Sequence, residues 1–567
     1  MCRFTRFTRN IAPLFFLSFA VVPFASASGP YVIGSGNTVT AAPTIPRPAT
    51  TPCVVQLFSG AQFTDFNVEN FTYTPPSACP GPWAKIVLES DINLNPGIQY
   101  DRTANYWLGP VNIYFGTTSE PSPTLGPSWH VEKDLTDYSA IFYASQSGQA
   151  DIGNTLCCGL TSTIFASAEL EFYPLAQGQK PPVVADQILA LSNGPSGGTV
   201  TLSSGSDSLS GTFNFPLNVS AAYLDVYSQG QGGNTTGDEF WYTCVPNDVT
   251  GELESCGNTA FRETEITIDG QPAGVAPVYP WIFTGGIDPF LWFPIPGVQT
   301  LEFAPYRVNL TPFAGVLSNG QPHTVGLSVF NADSYFEATA SLLVYVDAET
   351  PVITGAVTQN TLTANPTPVV TENLHTSSKA LTGTMDVDSK RNFTISGYIN
   401  TAHGKVTTSV SQSVTFNNHQ SFDITLNGAT YIQNISQQSG VNSYVRVSRK
   451  GEPETLTYVN FAFPLVVDIA ETTLANGDID QTTEAYQTYQ RTQTTLQGGK
   501  TTFSGSLESN GQHADTLEFD SSFNFLGNKD QYTAAQYNQF NSDGYGYYCS
   551  IGAKNNKLTT FSPSCAP

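Results

Sequence analysis

Charged residues are scarce in this chain of 567 residues, and basic residues are the scarcest. Asp, Glu, Lys and Arg together make up 12% of the sequence, against about 25% in an average soluble domain. Lys and Arg number 22 and Asp and Glu 46, which gives a formal net charge of −24. A surface of this sign repels the phosphate backbone, so nucleic-acid binding is excluded as a main role. A chain with few ion pairs to titrate should also tolerate acid.

Long apolar runs are missing beyond the N-terminus, where none approaches the roughly 20 residues that a membrane helix requires. At the N-terminus itself, three arginines precede the apolar run 11–24, and small residues follow at 25–27. This order is typical of a secretory signal. We therefore expect cleavage of residues 1–27 near Ala27. The mature chain is expected to be a soluble monomer, secreted or periplasmic, with no membrane partner.

Metal-binding spacings are also missing, since no C-x-x-C pair occurs and the six histidines lie far apart. We therefore expect no metal, and we expect no cofactor. The chain has nine cysteines, and removal of Cys2 leaves an even number, which favours disulfides in an exported protein. Proximity suggests three pairs and leaves two adjacent cysteines to form a strained vicinal bond, although the connectivity stays open. The suggested pairs are Cys53 with Cys79, Cys244 with Cys256, Cys549 with Cys565 and, as the strained pair, Cys157 with Cys158.

Helical periodicity is rare, and short β-branched or aromatic runs bounded by Gly, Pro, Asn and Ser predominate. With 38 prolines and 48 glycines, this pattern predicts an all-β fold of sandwiches or jelly rolls. Linker-like segments at 177–187 and 347–370 predict three domains, at 28–182, 183–350 and 351–567. The last domain is rich in Thr, Ser, Gln and Asn, and all six tryptophans precede it. We therefore expect the chemical site in the first two domains and an additional β-rich domain at the C-terminus.

One hydrolase motif occurs but lacks its context. Residues 194–198 read G-P-S-G-G, which matches the G-x-S-x-G of serine hydrolases. That motif requires a strand-to-helix elbow, and no helical pattern follows it here. We interpret the segment as a turn.

Two acidic positions stand beside aromatic strand sequences. Asp101-Arg102 opens the stretch YDRTANYWLGPVNIYFG, and Asp238-Glu239 directly precedes Phe240-Trp241. In isolation each is more often a surface ion pair. In a chain with so little charge, however, acids placed among buried strands must be paired or used, so both positions are candidate site residues.

Several ordered motifs resemble the acid peptide N-glycanase family, whose members are amidases that remove N-linked glycans from asparagine. They include YDRTANYWLGPVNIYFGTTSEP, WHVEKDLTDYSA and YPWIFTGGIDPFLWFPIPG, and the resemblance covers roughly residues 45–350. A more distant resemblance is to the bacterial peptide N-glycanase F type, which has two eight-stranded jelly rolls side by side. The resemblance implies tandem jelly rolls here, and an N-linked glycopeptide or glycoprotein as substrate.

The same resemblance implies roles for individual residues. Asp101 matches the catalytic aspartate of a W-D-R-Y-A-N motif and would activate the attacking water. Glu239 matches the glutamate of an A-E-W-C-F-R motif, which is split here, and would polarise the amide. Arg102 would keep Asp101 ionised or bind the chitobiose core, and a lowered pKa of Asp101 favours an acidic optimum.

Other residues are implied as substrate contacts. Asn154 stands where the distant relative has a further glutamate, so its role is in doubt. Asp238 and Arg262 lie in the two halves of the split motif. Four tryptophans are candidates for sugar stacking, although each is as typical of a core: Trp107, Trp241, Trp281 and Trp292.

Two other classes of function remain open. A glycosidase using Asp101 and Glu239 as its carboxylate pair would leave one N-acetylglucosamine on the asparagine. A lectin or adhesin built on the same jelly rolls would bind glycopeptide and release nothing.

Overall fold

The computed structural model describes residues 31–232, 238–253, 255–425 and 430–565, so the expected signal sequence lies outside the described residues. Strands form nearly all of the regular structure, which confirms the all-β prediction. No helix within the described ranges is long and apolar enough to cross a membrane. The helices are short: α1 Thr250–Leu253, α2 Ala314–Leu317, and 3-10 segments at Thr136–Phe142, Asp238–Thr243, Thr311–Phe313 and Pro563–Cys565.

The first eight strands form a sandwich of two antiparallel four-stranded sheets. The sheet orders are β1-β8-β3-β6 and β2-β7-β4-β5, which is the order of a jelly roll with its two Greek keys. Buried residues alternate along strands such as β8, because successive side chains point to opposite faces. The strands are β1 Cys53–Phe63, β2 Glu69–Tyr73, β3 Trp83–Leu94, β4 Thr103–Leu108, β5 Val111–Thr117, β6 Ser128–Asp134, β7 Gln146–Ile152 and β8 Ile164–Pro174.

The next strands repeat this arrangement. Their sheet orders are β10-β17-β12-β15, with β9 also pairing with β17, and β11-β16-β13-β14. The 194–198 segment forms a turn between β9 and β10, with no helix there, as its interpretation required. The strands are β9 Gln187–Leu191, β10 Val200–Leu202, β11 Leu209–Asn214, β12 Val219–Gly230, β13 Glu263–Ile268, β14 Gln271–Pro277, β15 Tyr306–Asn309, β16 Pro322–Phe330 and β17 Phe336–Val346.

The C-terminal strands form one twelve-stranded antiparallel sheet, hereafter the third sheet. Its inward residues Phe393, Phe416 and Ile435 share a hydrophobic core with Trp241 and Phe261 of the second jelly roll. The third sheet is therefore packed onto the second jelly roll. Its strands are β18 Thr354–Asn360, β19 Val369–Thr376, β20 Ala380–Thr401, β21 Gly404–Thr425, β22 Thr430–Arg449, β23 Thr455–Ala462, β24 Leu465–Thr473, β25 Ile479–Gln497, β26 Lys500–Phe519, β27 Phe525–Asn541, β28 Gly546–Lys554 and β29 Lys557–Phe561.

The three disulfides suggested by proximity are present: Cys53–Cys79, Cys244–Cys256 and Cys549–Cys565. The suggested vicinal bond is wrong, because Cys157 and Cys158 are free and exposed. Their Sγ atoms lie 3.0 Å apart, whereas a disulfide requires about 2.0 Å. The planar peptide between adjacent residues resists the distortion that a vicinal bond demands.

Candidate active site

Three carboxylates meet where the two jelly rolls join. Asp101 lies just before β4, Glu120 lies just after β5, and Glu239 belongs to the 3-10 segment that follows β12. Glu120 Oε1 accepts a hydrogen bond from the Asp101 backbone N–H at 3.0 Å. All three residues are partly buried, and the charge of Asp101 acts on both glutamates. Asp101, Glu120 and Glu239 are referred to below as the carboxylate cluster.

Hydrogen bonds across the junction hold these residues in place. Gln231 of the second jelly roll donates from Nε2 to Thr103 Oγ1 at 2.7 Å, next to Asp101 and Arg102. The Gln231 carbonyl accepts from the backbone N–H of Glu239 at 3.2 Å. A chain of two hydrogen bonds therefore connects the start of β4 to the segment that carries Glu239.

The loop between β14 and β15 completes the site. It crosses to the first jelly roll, where its Thr300 carbonyl accepts from the Thr117 backbone N–H at 2.9 Å. A Cβ at Gly285, whose φ is +82°, would lie 2.2 Å from Glu120 Oε1, and a Cβ at Gly286 would lie 3.4 Å from Glu239 Oε1. The Gly285-Gly286 pair therefore allows this loop to lie directly against both glutamates.

The electrostatics raise the pKa of every member of the carboxylate cluster. Burial raises the pKa of Asp101 to about 7, although the positive charge of Arg102 partly opposes this. Burial, followed by the charge of Asp101, raises the pKa of Glu120 to about 8 and that of Glu239 to about 8. All three carboxyls therefore hold their protons to higher pH than ordinary Asp and Glu residues, and a negative charge on Asp101 favours the protonated form of both glutamates.

Arg102 has a smaller effect on the pKa of Asp101 than burial has. The sequence predicted that its guanidinium lowers the pKa of Asp101 below the ordinary range. Instead the pKa is raised, because burial outweighs the neighbouring charge. Arg102 donates from Nη2 to Gln99 Oε1 at 2.7 Å, and its buried Nε has no partner among the described residues. One donor beside Asp101 is therefore available for a ligand.

Asn154 does not line the site. It is fully buried, and its Nδ2 donates to the Phe63 carbonyl at 2.8 Å and to the Ser162 carbonyl at 3.2 Å. These bonds use the amide to join the end of β1 to the segment before β8, and a substrate contact of Asn154 stays a prediction. The further carboxylate of the site is Glu120, which the sequence analysis missed. The signal available in the sequence was the position of Glu120 near the end of YDRTANYWLGPVNIYFGTTSEP, the motif that also contains Asp101.

Asp238 and Arg262, which were also predicted to contact substrate, lie in the interior of the protein. Their side chains are completely buried and form an ion pair of 2.9 Å between Nη2 and Oδ1. Asp238 Oδ2 also accepts from the backbone N–H groups of Asp333 at 2.8 Å and Ser334 at 2.9 Å. Because these bonds pair the buried charges, the two residues anchor the segment that carries Glu239.

The predicted sugar-stacking tryptophans are core residues instead. They are 6% exposed or less, because their positions face the interior: Trp107, Trp241, Trp281 and Trp292. Two other aromatic residues adjoin the carboxylates in sequence. Tyr100, which is 59% exposed, precedes Asp101, and the partly buried Phe240 follows Glu239. The exposed ring of Tyr100 is therefore a surface on which a sugar could stack. Its position next to Asp101 was the signal in the sequence that could have identified it.

One group of side chains has metal-ligand spacing. Ligand atoms of Glu89, His130 and Glu132 lie within 4.8 Å of one another. The guanidinium of Arg47, however, bonds to both glutamates. A fixed cation between these carboxylates repels a metal ion, so we assign this group to an ion-pair network on the first jelly roll.

Two jelly rolls in tandem, with the carboxylate cluster at their junction, define the class of protein. Residues 43–364 match the family model described as "Peptide N-acetyl-beta-D-glucosaminyl asparaginase amidase A". Because the match covers more than half of the chain, this protein belongs to that family. The resemblance noted in the sequence is thereby confirmed.

Individual relatives are more distant. The chain is 31% identical over 367 residues to "Peptide-N4-(N-acetyl-beta-glucosaminyl)asparagine amidase A" of Prunus dulcis, covering 61% of this chain and 62% of the relative. The solved structure of PNGase F from Flavobacterium meningosepticum is 13% identical, with 53% of this chain and 98% of that one covered and a TM-score of 0.34. The structure of PNGF-II is 14% identical, with coverage of 52% and 66% and a TM-score of 0.35.

Proposed function

We propose that this protein is an exported, monomeric amidase. It hydrolyses the bond between an asparagine side chain and N-acetylglucosamine in N-linked glycopeptides or glycoproteins, and leaves aspartate. The observation that carries the proposal is the carboxylate cluster, in which three carboxyls with raised pKa values lie together at the domain junction of a chain of this family. Amide hydrolysis needs a base for the attacking water and an acid for the departing nitrogen, and neighbouring carboxyls can supply both.

Asp101 is assigned as the base. Once ionised, it accepts a proton from a water molecule, and the water oxygen forms a bond to the amide carbonyl carbon. The unpartnered Nε of Arg102 lies in the adjacent residue, where it is available to bind an oxygen of the substrate. Asp101 suits this role because the charge of Arg102 favours its ionised form, and a negative charge on Asp101 favours the protonated forms of Glu120 and Glu239.

Glu239 and Glu120 are assigned as the acids. Glu239 donates a hydrogen bond to the carbonyl oxygen as negative charge develops there. Glu120 supplies a proton to the departing nitrogen as the C–N bond breaks, so the glycan leaves as a glycosylamine. Both roles require a protonated carboxyl, which the raised pKa values of both residues favour.

Mass spectrometry of one defined glycopeptide tests the proposal. We expect a free glycan and a peptide with aspartate at the glycosylated position. A peptide that keeps one N-acetylglucosamine would identify a glycosidase instead, and an unchanged glycopeptide would identify a binding protein.

Asp101→Asn is the decisive variant, because it removes the ionisable group and keeps the shape of the side chain. We expect it to abolish release while folding and glycopeptide binding persist, whereas Asp543→Asn, at an exposed turn, should change nothing. Activity of the Asp101 variant within about tenfold of wild type would contradict the assignment, since a general base contributes more than that.

A further inference from the structure

The third sheet presents buried amides in place of apolar residues. On the inward face of β21, alternate residues are buried, and two amides stand in the middle of an otherwise apolar row. A buried amide without partners is costly, so an amide at such a position needs a specific partner. The row is Val414, Phe416, Asn418, Gln420, Phe422 and Ile424.

Their partners are backbone carbonyls at the end of the segment that carries Glu239. Asn418 Nδ2 donates to the Tyr242 carbonyl at 3.0 Å, and Gln420 Nε2 donates to the Cys244 carbonyl at 3.1 Å. Gln420 also donates to Asn418 Oδ1 at 3.1 Å and accepts from Gln433 Nε2 at 2.9 Å. Side chains of the third sheet thus donate hydrogen bonds to carbonyls of an irregular segment, which is not paired with a neighbouring strand.

Another amide of the third sheet holds the loop that lies against the glutamates. Gln487 of β25 donates from Nε2 to the Pro280 carbonyl at 2.5 Å, and its Oε1 accepts from the Val298 backbone N–H at 2.8 Å. These contacts fall on the two sides of Gly285-Gly286. One side chain therefore closes the base of the loop 280–298.

The same loop is held at a third point. Trp292 donates from Nε1 to the Gly286 carbonyl at 2.8 Å, and its ring lies 3.9 Å from the ring of His513 on β26. Gln531 of β27 donates to the Phe293 carbonyl at 2.5 Å. Contacts from β25, β26 and β27 therefore converge on the residues that surround Gly286.

We propose that the third sheet is a positioning platform for the active site, in which Gln420 and Asn418 fix the segment of Glu239 and Gln487 fixes the loop of Gly285-Gly286. Most of this sheet lies beyond residue 364, where the family match ends. The proposal rests on the proposed amidase function for its kinetic consequence. Its structural consequence, the ordering of these two segments, is independent of that function.

The kinetic effect should be on turnover. These amides touch neither Asp101 nor a substrate-facing atom, and they act only through the placement of Glu239 and Glu120. A misplacement of about 1 Å costs on the order of 100-fold in rate. For Gln487→Met and Gln420→Met, which keep side-chain length and remove the amide, we expect kcat to fall by about 10- to 100-fold while KM changes by less than about twofold.

Two comparisons separate positioning from simple loss of folding. Gln512→Met is the matched control, since this amide also lies on the third sheet but is only half-buried, and it donates to Tyr486 Oη at 2.9 Å in an exposed hydrogen bond. It should keep wild-type kinetics. Gln487→Glu is the variant expected to recover the activity that Gln487→Met loses. When protonated, its carboxyl both accepts and donates, as the amide does. We expect its kcat relative to wild type to be restored at acidic pH and lost as the buried acid ionises.

Hydrogen exchange of the backbone in 238–245 and 280–298 provides a readout that needs no activity. We expect faster exchange there in Gln420→Met and Gln487→Met than in Gln512→Met. Unchanged kcat and unchanged exchange in both variants would overturn the proposal, as would a Gln487→Glu variant that is equally impaired at every pH. If wild type releases no glycan and the variants still lose protection, the proposed function fails and the platform stands.

Discussion

Glu120→Gln should stabilise the protein in alkali and leave its stability in acid almost unchanged. The folded site raises the pKa of Glu120 to about 8 from an ordinary 4.5, chiefly through burial and the charge of Asp101. The folded state therefore holds the Glu120 proton where the unfolded state has released it. Stability from this group is complete below the unfolded pKa and is lost as the pH rises towards the folded pKa. Glutamine is neutral throughout and does not suffer this loss.

The size of the effect follows from the two pKa values. Their difference corresponds to about 5 kcal/mol if it were fully expressed. Glu120 is only partly buried, and screening by solvent reduces the effect, so we expect about 2 to 3 kcal/mol in favour of the variant near pH 8. Near pH 4 the difference should be below about 0.5 kcal/mol. The hydrogen bond from the Asp101 backbone survives in the variant, because Gln keeps an acceptor oxygen.

Urea denaturation of both proteins at the two pH values measures this difference. Glu372→Gln, on an exposed residue of β19, is the control and should have the stability of wild type at both pH values. Equal stability of wild type and Glu120→Gln at both pH values, or a less stable variant at pH 8, would refute the claim that the fold keeps Glu120 protonated.

Three further predictions concern the residues around Glu120. Glu239→Gln should lower kcat by about 100- to 1000-fold; glycan release measures this, and a variant in which only KM rises would make Glu239 a binding residue. Arg102→Gln removes the charge that lowers the pKa of Asp101, so the acidic limb of the kcat/KM profile should move to higher pH; an unmoved limb in a folded variant would contradict this. Asp238→Asn breaks a fully buried ion pair and should cost about 3 to 5 kcal/mol in denaturation, whereas a loss below about 1 kcal/mol would show that the pair does not anchor its segment.

The acidic pH optimum is a prediction made from the sequence. It assumed that Arg102 lowers the pKa of Asp101, and in the substrate-free site that pKa is raised to about 7. An acidic optimum therefore no longer follows from Arg102, and it stays a prediction for the pH–rate profile to test. The predicted acid tolerance gains a second reason, because burial also raises the pKa values of Glu265, Glu302 and Glu337 to about 7.

Local patterns and motifs were enough to identify much of this protein. Alternating strand residues bounded by Gly and Pro specify an all-β chain, because that alternation is a property of each strand by itself. Disulfides between cysteines 12 to 26 residues apart are accessible from spacing alone. The motifs around Asp101 and Glu239 located two members of the carboxylate cluster, and both lie at the domain junction.

Tertiary contacts decided the remainder. Whether Trp107 or Trp241 faces sugar or core depends on what packs against it. Strand β4, which carries Trp107, is buried on both faces, and Trp241 packs against Phe416 of the third sheet. Glu120 joins the site only because Gly285-Gly286, brought from a distant loop, leaves room for its carboxylate. The direction of the Asp101 pKa shift was likewise undetermined in the sequence, where Arg102 is visible as its neighbour. The burial that outweighs that charge exists only after two jelly rolls have closed around the pair.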